Sequence, residues 1–128
     1  MASVLGAIVF ECGHPAALAR FWAVVLDGYA VRTYDAAELA RLAELGLTPV
    51  TDPTVMVDGP GPTLCFQRVA GRPLAPAGQH RLHLDIDARD RRAEVLRLTA
   101  LGATVEREGG DYTVLRDPEG NVFCVFAA

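Results

Sequence analysis

The stretch RLHLDIDARDRRAEVLRLTALG, residues 81–102, decides the fold of this chain. Its residues 81–87 alternate between polar and apolar side chains, which predicts a β-strand with one buried face. Residues 89–102 then predict a helix that is capped by Asp90 and ended by Gly102. Three more strands are predicted after that helix, at residues 104–108, 111–117 and 121–126. The second half of the chain therefore has the order β-α-β-β-β.

The first half of the chain repeats this order with one insertion. The apolar run at residues 4–11 predicts a buried strand, and Pro15 suits the first position of a helix that ends near Gly28. A short strand at residues 29–34 follows, and residues 35–46 predict an inserted helix that begins with a capping box. Two further strands are expected at residues 54–58 and 63–69.

These two halves predict an α+β fold built from two βαβββ modules, with an extra short helix in the first module. Module one covers residues 3–70, a linker rich in Gly and Pro covers residues 71–79, and module two covers residues 80–127 of a single domain, 1–128. A repeated unit of this kind does not bury its apolar face alone. We therefore expect two curved sheets with mixed or antiparallel strands around a shared cleft, each with a helix on its outer face. Such clefts are preferred sites for small ligands.

The composition argues against several classes of function. Hydrophobic residues make up 51% of the 128 residues, which is enough for a sizeable core. A net charge of −4 argues against a nucleic-acid partner, since phosphate binding needs a concentrated basic face. No apolar run reaches the roughly 20 residues of a membrane helix, and we expect no secretory signal. The three widely spaced cysteines, Cys12, Cys65 and Cys124, favour a reducing, cytoplasmic location over a disulfide framework.

Three segments carry a resemblance to a known family. They are HPAALARFW at residues 14–22, HLDIDARD at residues 83–90 and DPEGN at residues 117–121. Together with the paired modules, they resemble the vicinal oxygen chelate superfamily, which includes glyoxalase I, bleomycin-resistance proteins and extradiol dioxygenases. The similarity is strongest to the small bacterial glyoxalase-like domain proteins and covers nearly the whole chain. These motifs specify a fold far better than they specify an activity. The resemblance also implies that the chain forms a homodimer.

The resemblance also implies where a metal site would lie. Enzymes of this superfamily generally hold a divalent metal with His, Glu or Gln side chains on inward strand faces. His83 matches a ligand position seven residues before Asp90, whereas the matching position of the first module is Ala7. Gln67 matches a further position, and Cys124 stands where metal-using relatives carry Glu. His83, Cys124 and Gln67 can in principle hold zinc, but they depart from the superfamily pattern.

The same residues also have structural interpretations. A cysteine among apolar residues, as Cys124 and Cys65 are, is typical of a small buried hydrophobe whose thiol pKa is raised. A single histidine on a strand, such as His83, is typical of a hydrogen-bonded structural residue. Tyr112 and Arg68 are candidates for an aromatic wall and an anion-binding group of the cleft.

Three functions follow from these alternatives. In the first, the chain is a metal-independent small-molecule-binding protein, or an enzyme of undetermined reaction without a cofactor, and Gln67, His83 and Tyr112 orient the ligand. In the second, it is a metal-dependent lyase, isomerase or dioxygenase of the glyoxalase I type, in which His83 is the anchor ligand of Zn, Ni, Fe or Mn. In the third, it is an antibiotic-sequestering resistance protein that needs no metal.

Overall fold

A computed structural model of the chain describes residues 5–68 and 82–128. It confirms an α+β fold with two βαβββ-like modules and an extra helix in the first. The chain divides into two compact units, Met1–Leu74 and Ala75–Ala128, and each unit contains one four-stranded sheet. The predicted linker at residues 71–79 lies outside the described residues. None of the described helices is long and apolar enough to cross a membrane.

The first unit contains the larger set of described elements. Their bounds are β1 Ala7–Glu11, α1 Pro15–Val25, β2 Ala30–Val31, α2 Ala36–Glu44, β3 Thr54–Asp58 and β4 Thr63–Gln67. The strands lie in the order β1-β4-β3-β2, with β1 parallel to β4 and the other neighbours antiparallel. β2 is shorter than the predicted strand at residues 29–34, because the chain leaves the sheet to reach Asp35. The Asp35 carboxylate caps α2 by accepting a hydrogen bond from Glu38 N at 2.8 Å.

The second unit repeats the topology of the first. Its elements are β5 Leu84–Ala88, α3 Arg91–Ala100, β6 Thr104–Glu108, β7 Tyr112–Arg116 and β8 Val122–Ala127. The strand order is β5-β8-β7-β6, and the first and last strands of the module are again parallel. The Asp90 carboxylate caps α3 by accepting a hydrogen bond from Ala93 N at 3.0 Å, and Gly102 follows the helix with a φ of 113°. Both predicted ends of this helix are confirmed to within two residues.

The turn DPEGN connects β7 to β8 through one buried carboxylate. Asp117 is 3% exposed, and its Oδ1 accepts hydrogen bonds from the backbone N–H groups of Glu119 and Asn121 at 2.9 and 3.0 Å. Its Oδ2 accepts a hydrogen bond from Asn121 Nδ2 at 2.8 Å. Gly120 has a φ of 86°, a positive value that suits the closing residue of a hairpin turn.

In each unit a helix packs against one face of the sheet. Trp22 and Phe21 of α1 are buried, and the centre of the Trp22 ring lies 5.9 Å from that of the Phe10 ring. In the second unit, Leu98 of α3 and Phe123 of β8 are fully buried. Because side chains alternate along a strand, the remaining positions of the second sheet face away from α3.

Candidate functional site

The second sheet has one face that no helix covers within the described part of its unit. Asp85 on β5 pairs with Cys124 on β8, Cys124 pairs with Val114 on β7, and Val114 pairs with Arg107 on β6. Directly paired residues point to the same side of a sheet, so these four form one row across it. We call the surface that carries this row the helix-free face.

Three side chains of types that could hold a metal ion meet at the β5 end of this row. His83 Nε2 lies 3.2 Å from Asp85 Oδ1, and both side chains are more than half exposed. A ligand atom of His83, one of Asp85 and the Sγ atom of Cys124 all lie within 4.8 Å of one another. Cys124 itself is 9% exposed. The cluster therefore has a buried sulfur at its base and two exposed ligands beside it.

The sequence predicts two members of this cluster and misses the third. His83 and Cys124 are predicted ligand positions, and the structure brings them together within the second unit. In the sequence, Asp85 is only one of several polar residues that alternate with apolar residues along its strand. One signal in the sequence points to Asp85. It lies two residues after His83, and residues two apart on a strand point to the same face.

The surroundings of the Cys124 thiol determine its pKa. Burial raises the pKa of the Cys124 thiol, the Asp85 carboxylate raises it further, and the Arg107 guanidinium lowers it in part. Burial likewise raises the pKa of the Cys65 thiol in the first unit. The prediction that both cysteines are buried in the sheets is confirmed.

The residue types of the cluster are among those that hold zinc in proteins. Catalytic zinc is usually held by three protein ligands drawn from His, Cys and carboxylate groups. In tetrahedral coordination such ligand atoms lie about 3.3–3.6 Å apart, as zinc–ligand bond lengths of about 2.0–2.3 Å require. The ligand atoms of the cluster lie within 4.8 Å of one another, and a mixed nitrogen, oxygen and sulfur set suits zinc better than magnesium or calcium.

An aromatic pair lies on the same face beside the row. The rings of Tyr112 and Phe126 have centroids 5.5 Å apart. The Arg107 guanidinium lies 5.7 Å from the centre of the Tyr112 ring, and its Nη1 donates a long hydrogen bond to Tyr112 Oη at 3.3 Å. Tyr112 thus lies on the helix-free face, and its role as an aromatic wall stays a prediction. Arg107 is a neighbour that the sequence did not predict.

The other two predicted binding residues belong to the first unit. Gln67 is exposed on β4, where it pairs with Glu11 of β1 and Thr54 of β3. Arg68 follows it and lines a cavity of about 270 Å³ at the beginning of α1. Asp52 also lines that cavity, so a carboxylate and a guanidinium of the first unit border the same space.

Asp52 is a buried carboxylate with specific partners. It accepts hydrogen bonds from Tyr34 Oη at 2.8 Å and from Thr54 N at 3.0 Å. Burial raises the pKa of Tyr34 to about 12, and the Asp52 carboxylate adds to that rise. The carboxylate thus ties the segment after β2 to the beginning of β3.

We expect the Tyr34 phenol to ionise only near pH 12. Its folded-state pKa is raised above the unfolded value of about 10, so its stabilising effect is complete below pH 10 and is lost as the pH rises toward 12. A spectrophotometric titration of the phenolate band should show a step near pH 12 that Tyr34→Phe removes. Loss of a step near pH 10 in that variant would contradict the assignment.

Comparison with a protein-family model identifies the domain type. Residues 7–126 match the model described as a glyoxalase-like domain. A search of curated proteins found no match.

Solved structures provide the same fold at low sequence identity. The trypanothione-dependent glyoxalase I of Leishmania major is 17% identical, with a TM-score of 0.66 over 98% of this chain and 87% of that one. A glyoxalase/bleomycin resistance protein/dioxygenase family enzyme of Burkholderia phytofirmans PsJN is 17% identical, with a TM-score of 0.69 over 98% of both chains. TioX of Micromonospora sp. ML1 is 19% identical, with a TM-score of 0.57 over 98% of both chains. At these identities the similarity shows the fold alone.

Proposed function

Because the chain belongs to the glyoxalase-like domain family, we propose that it binds a small molecule at a metal centre formed by His83, Asp85 and Cys124. The observation that carries this proposal is the mutual approach of three different ligand atoms to within 4.8 Å. The proposed function is that of the metal-dependent, glyoxalase-type interpretation, with zinc as the favoured ion.

The three side chains have distinct roles in this proposal. Cys124 anchors the ion from the centre of the sheet, since it lies on β8 between two neighbouring strands. His83, just before the edge strand β5, and Asp85 on that strand would supply the other two ligands, and both are exposed. A divalent ion held by these residues would supply Lewis-acid chemistry to an oxygen of a bound molecule.

The metal-independent interpretation also has an observation in its favour. The raised pKa of the Cys124 thiol describes a protonated, buried sulfur, which is the expected state of a cysteine in an apolar core. In that case the 3.2 Å contact of His83 with Asp85 is an exposed surface contact that stabilises the fold very little. The homodimer and the cytoplasmic location stay predictions under both interpretations.

Metal analysis of purified protein without an affinity tag separates the two interpretations. We expect about one zinc ion per chain after zinc loading and desalting, because three protein ligands are typical of catalytic zinc sites. The His83→Ala variant should lose the ion, since two ligands remain. His14→Ala is the control, because His14 is an exposed histidine of the first unit. Zinc below one tenth of an ion per wild-type chain would contradict the proposal.

A further inference from the structure

A bulge in β6 changes which side chains reach the helix-free face. The pairing of β6 with β7 shifts register between Val105 and Arg107, so Glu106 is the additional residue. Consecutive residues normally point to opposite faces, but a bulge allows two neighbours to share one face. Glu106 Oε1 contacts Arg116 Nη2 at 2.6 Å, and Arg107 lies over the Tyr112 ring. Arg116 and Tyr112, the β7 partners in these contacts, lie two residues on either side of Val114 and so share its face of the sheet with Cys124.

The two arginines of this face differ in their partners. Arg116 is paired with the Glu106 carboxylate, and its Nη1 donates a hydrogen bond to the Gly120 carbonyl at 2.9 Å. Arg107 has no carboxylate partner among the described residues, and its one hydrogen bond is the 3.3 Å contact with Tyr112 Oη. Glu106 therefore forms its ion pair with Arg116, whereas most N–H donors of the exposed Arg107 side chain make no hydrogen bond among the described residues.

Arg107 lies in the same row as the metal-binding cluster. Val114 and Cys124 separate it in register from Asp85, and Val114 is buried and apolar. Arg107 on β6 lies two strands away from Cys124 on β8 in this row, which corresponds to about 10 Å between their backbones. The helix-free face thus has a metal-binding end, an apolar middle and a cationic end, with the Tyr112 and Phe126 rings beside them.

We propose that Arg107 selects the ligand of this face, and that the ligand is a small carboxylic acid with a second oxygen and an apolar or aromatic body. The guanidinium binds the carboxylate through its paired N–H donors, a geometry that an ammonium or an amide does not reproduce. The inference rests on the proposed function, since the second oxygen of the acid binds at the His83–Asp85–Cys124 centre. The aromatic pair accommodates the apolar body.

Two acid–amide pairs test this selection on the full zinc-loaded chain. Mandelate is compared with mandelamide and salicylate with salicylamide, with affinities measured by isothermal titration calorimetry. The acids should bind at least about tenfold more tightly than the amides, since a charge-assisted hydrogen bond contributes about 1.5–3 kcal/mol. Arg107→Met should weaken binding of the acids by a similar factor and leave the amides unchanged. Arg92→Met, which removes an exposed arginine of α3, should change neither.

Zinc content, measured on every variant, separates this inference from the proposed function. A zinc-free wild-type protein contradicts the proposed function, and the acid–amide comparison is then made on that protein. In either state, equal affinities for acid and amide overturn the selection by Arg107. If Arg107→Met weakens binding of the acids and of the amides by the same factor, the selection by Arg107 is overturned as well. The same holds if none of the four compounds binds.

Discussion

Cys124→Ala is expected to lower the zinc affinity of the chain by more than about 100-fold, since even changes in groups that only support metal ligands cost 10–100-fold. The thiolate is the softest of the three donors and the one held most rigidly, because it lies 9% exposed on an interior strand. Competition against a chromophoric chelator measures the affinity directly. An affinity within about threefold of the wild type would remove Cys124 from the metal centre.

Cys65→Ala is the matched control for this variant. Cys65 is the third residue of β4, as Cys124 is the third residue of β8, and both are buried on interior strands of their sheets. Across the parallel strand, however, Cys65 pairs with Val9, whereas Cys124 pairs with Asp85. Both substitutions remove one sulfur from a sheet and create a similar small cavity. Loss of zinc in Cys124→Ala alone therefore reports ligation rather than a change in packing.

Asp117→Ala is expected to destabilise the chain by about 2–4 kcal/mol, which is the largest effect on folding that we predict. The substitution leaves the backbone N–H groups of Glu119 and Asn121 without the carboxylate that accepts their hydrogen bonds. It also removes the acceptor for Asn121 Nδ2. Because this turn connects β7 to β8, its loss weakens the pairing that places Cys124. Urea denaturation followed by circular dichroism measures the free energy of unfolding.

Two variants serve as controls for the turn. Asp117→Asn keeps an oxygen that can accept from the backbone N–H groups, so we expect roughly half of the loss. Asp111→Ala removes an exposed aspartate from the preceding turn and should change the free energy of unfolding by less than about 0.5 kcal/mol. If Asp117→Ala were no more harmful than Asp111→Ala, the buried carboxylate would not organise the turn.

Local chemistry explains why so much of the fold was predictable. Pro15 marks the beginning of a helix because it has no backbone N–H that needs a partner, and Asp90 does so because its carboxylate accepts a hydrogen bond from a free N–H of the first turn. Gly102 follows the end of a helix because it adopts a positive φ. The DPEGN turn uses the same chemistry, since the Asp117 carboxylate accepts hydrogen bonds from backbone N–H groups and Gly120 adopts a positive φ. Repetition of the same order of elements then predicts two similar sheets, which the structure confirms.

The candidate site was less predictable because it depends on register and on a bulge. Strand alternation places Asp85 beside His83, but a carboxylate on an exposed strand is more often solvated than a metal ligand. Its approach to Cys124 depends on the parallel pairing of β5 with β8, which no local pattern specifies. Arg107 reaches the helix-free face through a bulge in the segment TVERE, which contains no glycine to mark it.

The most direct test of the metal centre is the absorption spectrum of the cobalt(II)-substituted protein. Cobalt binds the same nitrogen, oxygen and sulfur sites as zinc, and a thiolate ligand adds an intense charge-transfer band in the near ultraviolet. We predict this band in the wild type and in Cys65→Ala, and its absence in Cys124→Ala. A wild-type spectrum without the band, or a band that persists in Cys124→Ala, would contradict a centre built from His83, Asp85 and Cys124.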